Sequence, residues 1–172
     1  MLIQATFLNN NAVRSLEELG IVGRISDIIV DPENGQLLAL VLAKFLGAPE
    51  VISPMDIVSF SPGNVLIKTK DAILPLKDIV RAQKIWQEKI RLIGSLCKTE
   101  SGKILGTIDD FLIDLDTMLV AKYYVGGNHI LAPLAPNRII LANKTIKIKK
   151  GLVTVQDEEQ QMTDKAVADT IT

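Results

Sequence analysis

Two stretches of this chain repeat one another, and this repeat constrains the fold more than any other feature of the sequence. Residues 94–114 repeat residues 11–31 at a constant offset of 83 positions. The identical aligned pairs are Glu17 and Glu100, Ile21 and Ile104, Gly23 and Gly106, Ile25 and Ile108, Asp27 and Asp110, and Asp31 and Asp114. A repeat of this length predicts two copies of one small fold. The chain has 172 residues, which is enough for two domains of about 70 to 80 residues each.

Composition favours packed aliphatic cores. Hydrophobic residues make up 48% of the chain, which excludes general disorder. Aromatic residues make up only 4%, so the cores must consist mainly of Ile, Leu and Val side chains.

Hairpin signals follow each copy of the repeat. Residues 23–30 predict a strand and residues 37–46 its returning partner. Between them, Pro32 restricts φ to about −65° and Gly35 can adopt a positive φ without steric cost, so residues 31–35 predict a tight turn. The other predicted hairpins pair residues 57–60 with 65–68, residues 106–113 with 119–125, and residues 138–141 with 145–148 around a turn at 142–144. Many short strands at regular spacing are typical of small barrels or sandwiches.

The hydrophobic period changes between the two copies. From residue 77 to residue 93, apolar side chains recur at spacings of three and four, which is one face of a helix. These residues are Ile79, Ala82, Trp86, Ile90 and Ile93. We expect Gly94 to end this helix. Trp86 has two interpretations, because it could pack the linker helix onto a barrel or form a protein interface, where Trp is enriched.

The repeat and the change of period together predict an all-β chain of two small barrels joined by one helix. The first barrel is expected at residues 1–76, the linker helix at 77–91 and the second barrel at 92–155. Residues 156–172 form a short acidic tail that we expect to be frayed or disordered.

The repeated segment resembles the PRC-barrel family, named for the cytoplasmic domain of the photosynthetic reaction centre H subunit. The residues that carry the resemblance are Gly23, Ile25, Asp27, Asp31 and Gly35 in the first copy, and Gly102, Gly106, Ile108, Asp110 and Asp114 in the second. The same fold forms the C-terminal domain of the ribosome maturation factor RimM. The resemblance implies two tandem PRC-like β-barrels that serve as protein-docking modules rather than enzymes.

The two copies differ at both turns of the repeated segment. The second copy has Met118 where the first has Gly35, and the first has Leu19 where the second has Gly102. Because glycine adopts positive φ without steric cost, we expect each of these turns to be of a different type in the two copies.

No catalytic or metal-binding pattern is present in the sequence. The single histidine, His129, and the single cysteine, Cys97, have no flanking motif, so we expect a surface loop position and a small buried side chain. The acidic residues do not fit the spacing of a calcium loop. Asp27 and Asp110 are instead expected to accept hydrogen bonds from backbone amides. The sequence therefore predicts no enzyme, no cofactor and no bound metal.

Charge is distributed unevenly along the chain. Residues 1–80 carry 6 Lys and Arg against 9 Asp and Glu, residues 81–155 carry 12 against 6, and residues 156–172 carry 1 against 5. The most basic stretch contains Lys144, Lys147, Lys149 and Lys150. We expect a lysine stripe on a strand whose other face holds Ile146. The stripe is either a solvated edge or a docking patch for an acidic partner or RNA; direct RNA binding is disfavoured because no aromatic side chains flank the lysines.

Two functions remain open. The first is a non-catalytic adaptor that docks on a protein partner or on itself as a dimer. The second is an RNA-associated assembly factor resembling RimM. One cysteine and the lack of a signal peptide or an apolar span favour a cytoplasmic protein, although attachment to a membrane complex through another subunit stays open.

Overall fold

The computed structural model of the protein describes residues 1–127 and 136–157, so the predictions for His129 and for residues 158–172 lie outside the described residues. The described residues form fourteen strands: β1 (Leu2–Gln4), β2 (Ala12–Ser15), β3 (Gly20–Val30), β4 (Leu37–Leu42), β5 (Glu50–Ile52), β6 (Ile57–Ser61), β7 (Asn64–Ile67), β8 (Ile73–Pro75), β9 (Leu96–Thr99), β10 (Ile104–Asp114), β11 (Leu119–Gly126), β12 (Arg138–Leu141), β13 (Thr145–Lys149) and β14 (Leu152–Val155). They also form α1 (Ala5–Leu8), α2 (Val80–Gln87) and 3₁₀ turns at Pro54–Asp56, Lys70–Ala72, Leu76–Asp78 and Ala142–Lys144. The fold is all-β, as the sequence predicts.

Strands of the first copy form one curled sheet. Its strand order is β6-β7-β2-β3-β4-β5-β8. Strands β2 and β7 are parallel, and the other neighbours are antiparallel. The two hairpins predicted for this copy are confirmed, because β3 pairs with β4 and β6 pairs with β7.

The second sheet repeats this topology. Its strand order is β12-β11-β10-β9-β14-β13, with β1 added beside β10. When β9–β14 are matched with β2–β7, the neighbours are the same, including the parallel pair of β14 and β9. After β11 the offset between matching residues of the two copies rises from 83 to 88 positions. At the new offset Gly63 matches Gly151, and both have a positive φ, of 75° and 72°. The strand order therefore continues the repeat beyond the stretch where the sequences match.

The hairpin predicted between residues 138–141 and 145–148 is wrong. Strand β12 pairs with β11, and β13 pairs with β14. The 3₁₀ turn at Ala142–Lys144 separates two strands that do not pair with each other, as Pro54–Asp56 does in the first copy. Closeness in sequence favoured a hairpin, but the pairing with strands elsewhere in the sheet decided the partner.

Helix α2 is shorter than predicted and ends before Gly94. Its C-terminal residue is Gln87, and Lys89 then adopts a positive φ of 55°. The N–H of Lys89 donates to the carbonyl of Trp86 at 3.1 Å, and that of Ile90 donates to the carbonyl of Ile85 at 3.3 Å. This pair of bonds is the Schellman arrangement, formed here by a lysine instead of the usual glycine.

The expectation of different turn types in the two copies is wrong. Leu19 has φ of 52° and Met118 has φ of 55°, so both adopt the left-handed conformation of their glycine counterparts, Gly102 and Gly35. A side chain in this conformation costs about 1–2 kcal/mol. The surrounding hairpins therefore impose the turn geometry on residues that do not favour it.

The chain divides into two compact units. The first comprises Met1–Ile90 and Leu112–Val120, and the second comprises Arg91–Phe111 and Ala121–Thr172. Within the first unit, the tip of the second hairpin pairs with the tip of the first. The Leu37 N–H donates to the carbonyl of Met118 at 2.8 Å, and the Val120 N–H donates to the carbonyl of Gly35 at 2.9 Å. The domain limits near residues 76 and 92 stay a prediction.

Each sheet buries one face in a mainly aliphatic core. Leu40 and Ile52 lie opposite each other in the first sheet, and both are buried. Their counterparts in the second sheet, Tyr123 and Ile140, also lie opposite each other and are buried. In the part of the chain that the structure describes, no helix has the length and apolar character needed to cross a membrane.

Candidate functional site

The outer face of the first sheet is covered by helix α2. Side chains on one face of a sheet alternate along each strand, so the neighbours Val41 and Val51 point away from the barrel core formed by Leu40 and Ile52. The buried cluster on this face consists of Ile29, Ala39, Val41, Val51, Leu76, Ala82 and Ile85. Trp86 is half-buried against the same cluster. Trp86 therefore packs the helix onto the first sheet. An additional role of Trp86 at a protein interface stays a prediction.

A partly buried ion pair connects this helix to the first hairpin turn. The guanidinium of Arg81 donates to both carboxylate oxygens of Asp31, at 3.0 Å and 2.8 Å. Asp31 also accepts from the N–H of Glu33 at 2.9 Å. The hydrogen bonds from Arg81 lower the pKa of Asp31 below its usual range, and the bond from the Glu33 backbone adds a smaller effect in the same direction. Asp31 therefore connects the turn of the repeat to the helix that follows the first sheet.

The matching outer face of the second sheet carries different side chains. Tyr124 lies opposite Ile139, and Lys122 lies opposite Leu141. By the repeat, these four positions correspond to Val41, Val51, Ala39 and Ser53. Ile139 is 60% exposed and Leu141 is 46% exposed, whereas Val51 is fully buried. We call Lys122, Tyr124, Ile139 and Leu141 the β11–β12 face.

Sequence reasoning missed the β11–β12 face. The signal available was the run Arg-Ile-Ile-Leu at residues 138–141, which has apolar side chains on both faces of a strand. Such a strand is typical of a position covered on both sides. Here Ile140 is buried, while Ile139 and Leu141 are exposed.

The basic stretch does not form one stripe on one strand. Lys147 and Lys149 are exposed on β13, Lys150 lies in the following turn, and Lys144 is half-buried in a 3₁₀ turn. A β-bulge lies between Thr145 and Lys147, so the alternation of faces is interrupted there. As a result Ile146, which was predicted to face the core, is 46% exposed.

The first copy has the same bulge at the matching position. The register of β6 against β7 shifts between Ile57 and Ser59. Val58, which matches Ile146, is exposed as well. Both β6 and β13 are the last strands of their sheets, and bulges at such positions interrupt the regular ladder that another chain could extend.

The aspartates of the repeat have local backbone partners. Asp27 accepts from the N–H of Ile28 at 2.7 Å, and Asp110 accepts from the N–H of Phe111 at 2.8 Å. Asp114 accepts from the N–H of Asp116 at 3.0 Å, as Asp31 does from the residue two positions later. In residues 1–127 and 136–157, no three His, Cys, Asp or Glu side chains meet in a way that could hold a metal ion.

The one cysteine is buried in the second unit. Cys97 has no exposed surface, and burial raises the pKa of its thiol to about 11. Because the thiolate is the reactive form, this thiol is inert at neutral pH. Burial also raises the pKa of the neighbouring Tyr123, whose hydroxyl lies 3.1 Å from that of Thr145.

The glycines at the start of the repeated strands differ in their surroundings. Gly106 has φ of 142°, and a Cβ there would overlap the carbonyl oxygen of Gly126. At Gly23 the nearest atom to an added Cβ is Leu42 Cδ1, at 3.1 Å. Of these two glycines, only Gly106 has no room for a side chain because the added Cβ would meet backbone atoms.

The fold and its surfaces define a small all-β protein of curled sheets, in which exposed strand faces are the main candidates for binding. Residues 13–84 match the family model of the PRC-barrel domain, so the chain contains a PRC-barrel domain. None of the curated proteins matches this chain in sequence. The match ends before the second copy, so a second PRC-barrel stays a prediction, which the sequence repeat and the repeated strand order support.

Proposed function

We propose that the protein is a non-catalytic adaptor that docks on other proteins through the β11–β12 face. The observation that carries this proposal is the exposure of Ile139 and Leu141 side by side on one face of β12, next to Tyr124. Single exposed apolar residues are ordinary on a protein surface, but adjacent ones beside a tyrosine are typical of binding sites.

Site-specific crosslinking tests this function. A photoreactive amino acid replaces Ile139 in the full-length protein, which is then irradiated in an extract of the native host. The matched control carries the same photoreactive group at Leu19, which is 88% exposed on a different part of the chain. We expect discrete protein adducts from position 139 that are missing from position 19. Identical adduct patterns, or no adducts from position 139, would refute the docking function.

An RNA-associated role is the second candidate function. The observation that favours it is the exposure of Lys147 and Lys149, followed by Lys150 in the turn. Binding that depends on phosphate contacts weakens steeply with salt. Fluorescence anisotropy with single- and double-stranded RNA at 50 and 200 mM salt tests this role. Tight binding that falls with salt, and that is lost on changing Lys147 and Lys149 to Gln, would favour the RNA function over the adaptor.

Two further expectations belong to the adaptor proposal. We propose that the protein works in the cytoplasm, which the single buried cysteine supports. Self-association as a dimer also stays a proposal, and light scattering across the micromolar range tests it.

A further inference from the structure

The first copy of the fold indicates what kind of segment fits the β11–β12 face of the second. In the first unit, the matching face is covered by α2, whose Ala82 and Ile85 are buried against Val41 and Val51. We propose that the β11–β12 face binds an amphipathic helix from another protein, with an acidic polar side. This inference rests on the proposed docking function and names the class of partner.

The correspondence between the two faces is residue by residue. Val41 lies opposite Val51 in the first sheet, and Tyr124 lies opposite Ile139 at the same positions in the second. The exposed fraction rises from 0% at Val51 to 60% at Ile139. A helix lying on the second sheet as α2 lies on the first would cover Ile139, the most exposed side chain of the face.

The side chains of the β11–β12 face determine the chemistry of the bound helix. Lys122 takes the place of Ala39 on this face, and Tyr124 takes the place of Val41. An ammonium group at the edge of the contact favours a carboxylate on the helix. The charge of the chain after α2 has the sign that favours an acidic partner, since residues 91–155 carry 9 Lys and Arg against 5 Asp and Glu.

Charge and occupancy argue against α2 of a second copy as the bound helix. α2 carries Arg81 and Lys84, which would face a basic segment. Arg81 is also held by Asp31 within its own unit. The partner is therefore a helix with the apolar spacing of α2 but with acidic flanks. In this spacing, one apolar residue is followed by a second three positions later and by a third four positions later.

Synthetic peptides and the full-length protein test this inference. The first probe is a peptide with the sequence of residues 76–90 in which Arg81, Lys84 and Lys89 are each replaced by Glu, and the second keeps the natural basic residues. A third peptide adds Ile85→Asp to the acidic version. We expect the acidic peptide to bind most tightly by fluorescence anisotropy, and the peptide with Ile85→Asp to lose binding.

Variants of the protein locate the binding site. Ile139→Asp should weaken binding of the acidic peptide by about tenfold or more, because a charge replaces a side chain at the centre of the contact. The matched control is Ile146→Asp, which changes an equally apolar residue that is 46% exposed on β13, and it should leave binding unchanged. No binding of the acidic peptide, or equal weakening by both variants, would overturn the inference.

Other occupants of the face give distinct results. A dimer that Ile139→Asp converts to a monomer in light scattering would identify a second copy and overturn the proposal. NMR signals of residues 158–172 that shift on Ile139→Asp would identify the C-terminal segment of the chain and overturn it as well. If crosslinks from position 139 persist while the peptides fail to bind, the docking function stands and only the helical partner is refuted.

Discussion

Replacing Arg81 by Met should detach helix α2 from the first hairpin turn and destabilise the first unit by about 2 kcal/mol. Breaking a buried ion pair costs about 3–5 kcal/mol, whereas an exposed pair contributes about 0–1 kcal/mol. Asp31 is 6% exposed, but the Arg81 side chain is 36% exposed. Water therefore screens the guanidinium and places the expected cost between these limits.

The pH dependence of this effect follows from the pKa of Asp31. Arg81 lowers that pKa in the folded protein, so the ion pair stabilises the fold fully above the unfolded pKa of about 3.9. Its contribution is lost as the pH falls through the lower folded pKa. The difference in unfolding free energy between the natural protein and Arg81→Met should therefore be largest near pH 7 and shrink steadily below about pH 4.

Urea denaturation followed by tryptophan fluorescence measures the effect, because the only tryptophan, Trp86, lies on α2. A double-mutant cycle with Asp31→Asn should give a coupling energy of about 1–2 kcal/mol. The control is Lys84→Met on the exposed side of the same helix, with a change within about 0.5 kcal/mol. A coupling energy below about 0.3 kcal/mol, or a difference that persists unchanged at low pH, would refute the reasoning.

Four other predictions concern local geometry. Gly106→Ala should destabilise by about 3 kcal/mol or more, since the new Cβ meets backbone, whereas Gly23→Ala should cost about 1 kcal/mol or less, since it meets a movable leucine. Met118→Gly should stabilise by about 0.5–1 kcal/mol, because it relieves a φ of 55°. Asp110→Ala should destabilise by about 1–3 kcal/mol, because it leaves a buried N–H unpaired. Cys97 should react with a thiol reagent at pH 8 only when the protein unfolds, because it is fully buried.

Urea denaturation checks the first three of these, and absorbance at equal protein concentration follows the thiol reaction. Equal costs at Gly106 and Gly23 would contradict the contact argument. If Met118→Gly instead destabilises the protein, the contacts of the methionine side chain stabilise the fold by more than its backbone strain costs. Calcium binding by titration calorimetry that disappears in Asp110→Ala would replace the structural interpretation of this aspartate. Fast modification of Cys97 in the folded protein would contradict its burial.

Local signals in the sequence were sufficient to predict the strands of the repeated segment and the positions of its turns, but not the conformation of each turn. Asp31 and Gly35 specify the first hairpin turn through their own hydrogen bonds and backbone angles, and these depend on neighbours within a few residues. The offset of 83 positions then predicts the same hairpin in the second copy. The all-β class and the PRC-barrel resemblance follow from these local patterns.

Only the tertiary structure decided which strands pair and which faces are covered. The predicted hairpin between residues 138–141 and 145–148 does not form, because β12 pairs with β11 and β13 pairs with β14. The parallel pair of β14 and β9 joins residues more than fifty positions apart, and no local signal predicts it. The positive φ at Met118 arises in the same way, because its carbonyl accepts from Leu37 across the hairpin tips. The exposure of Ile139 depends on whether a helix covers its face, and its sequence neighbours carry no information about that.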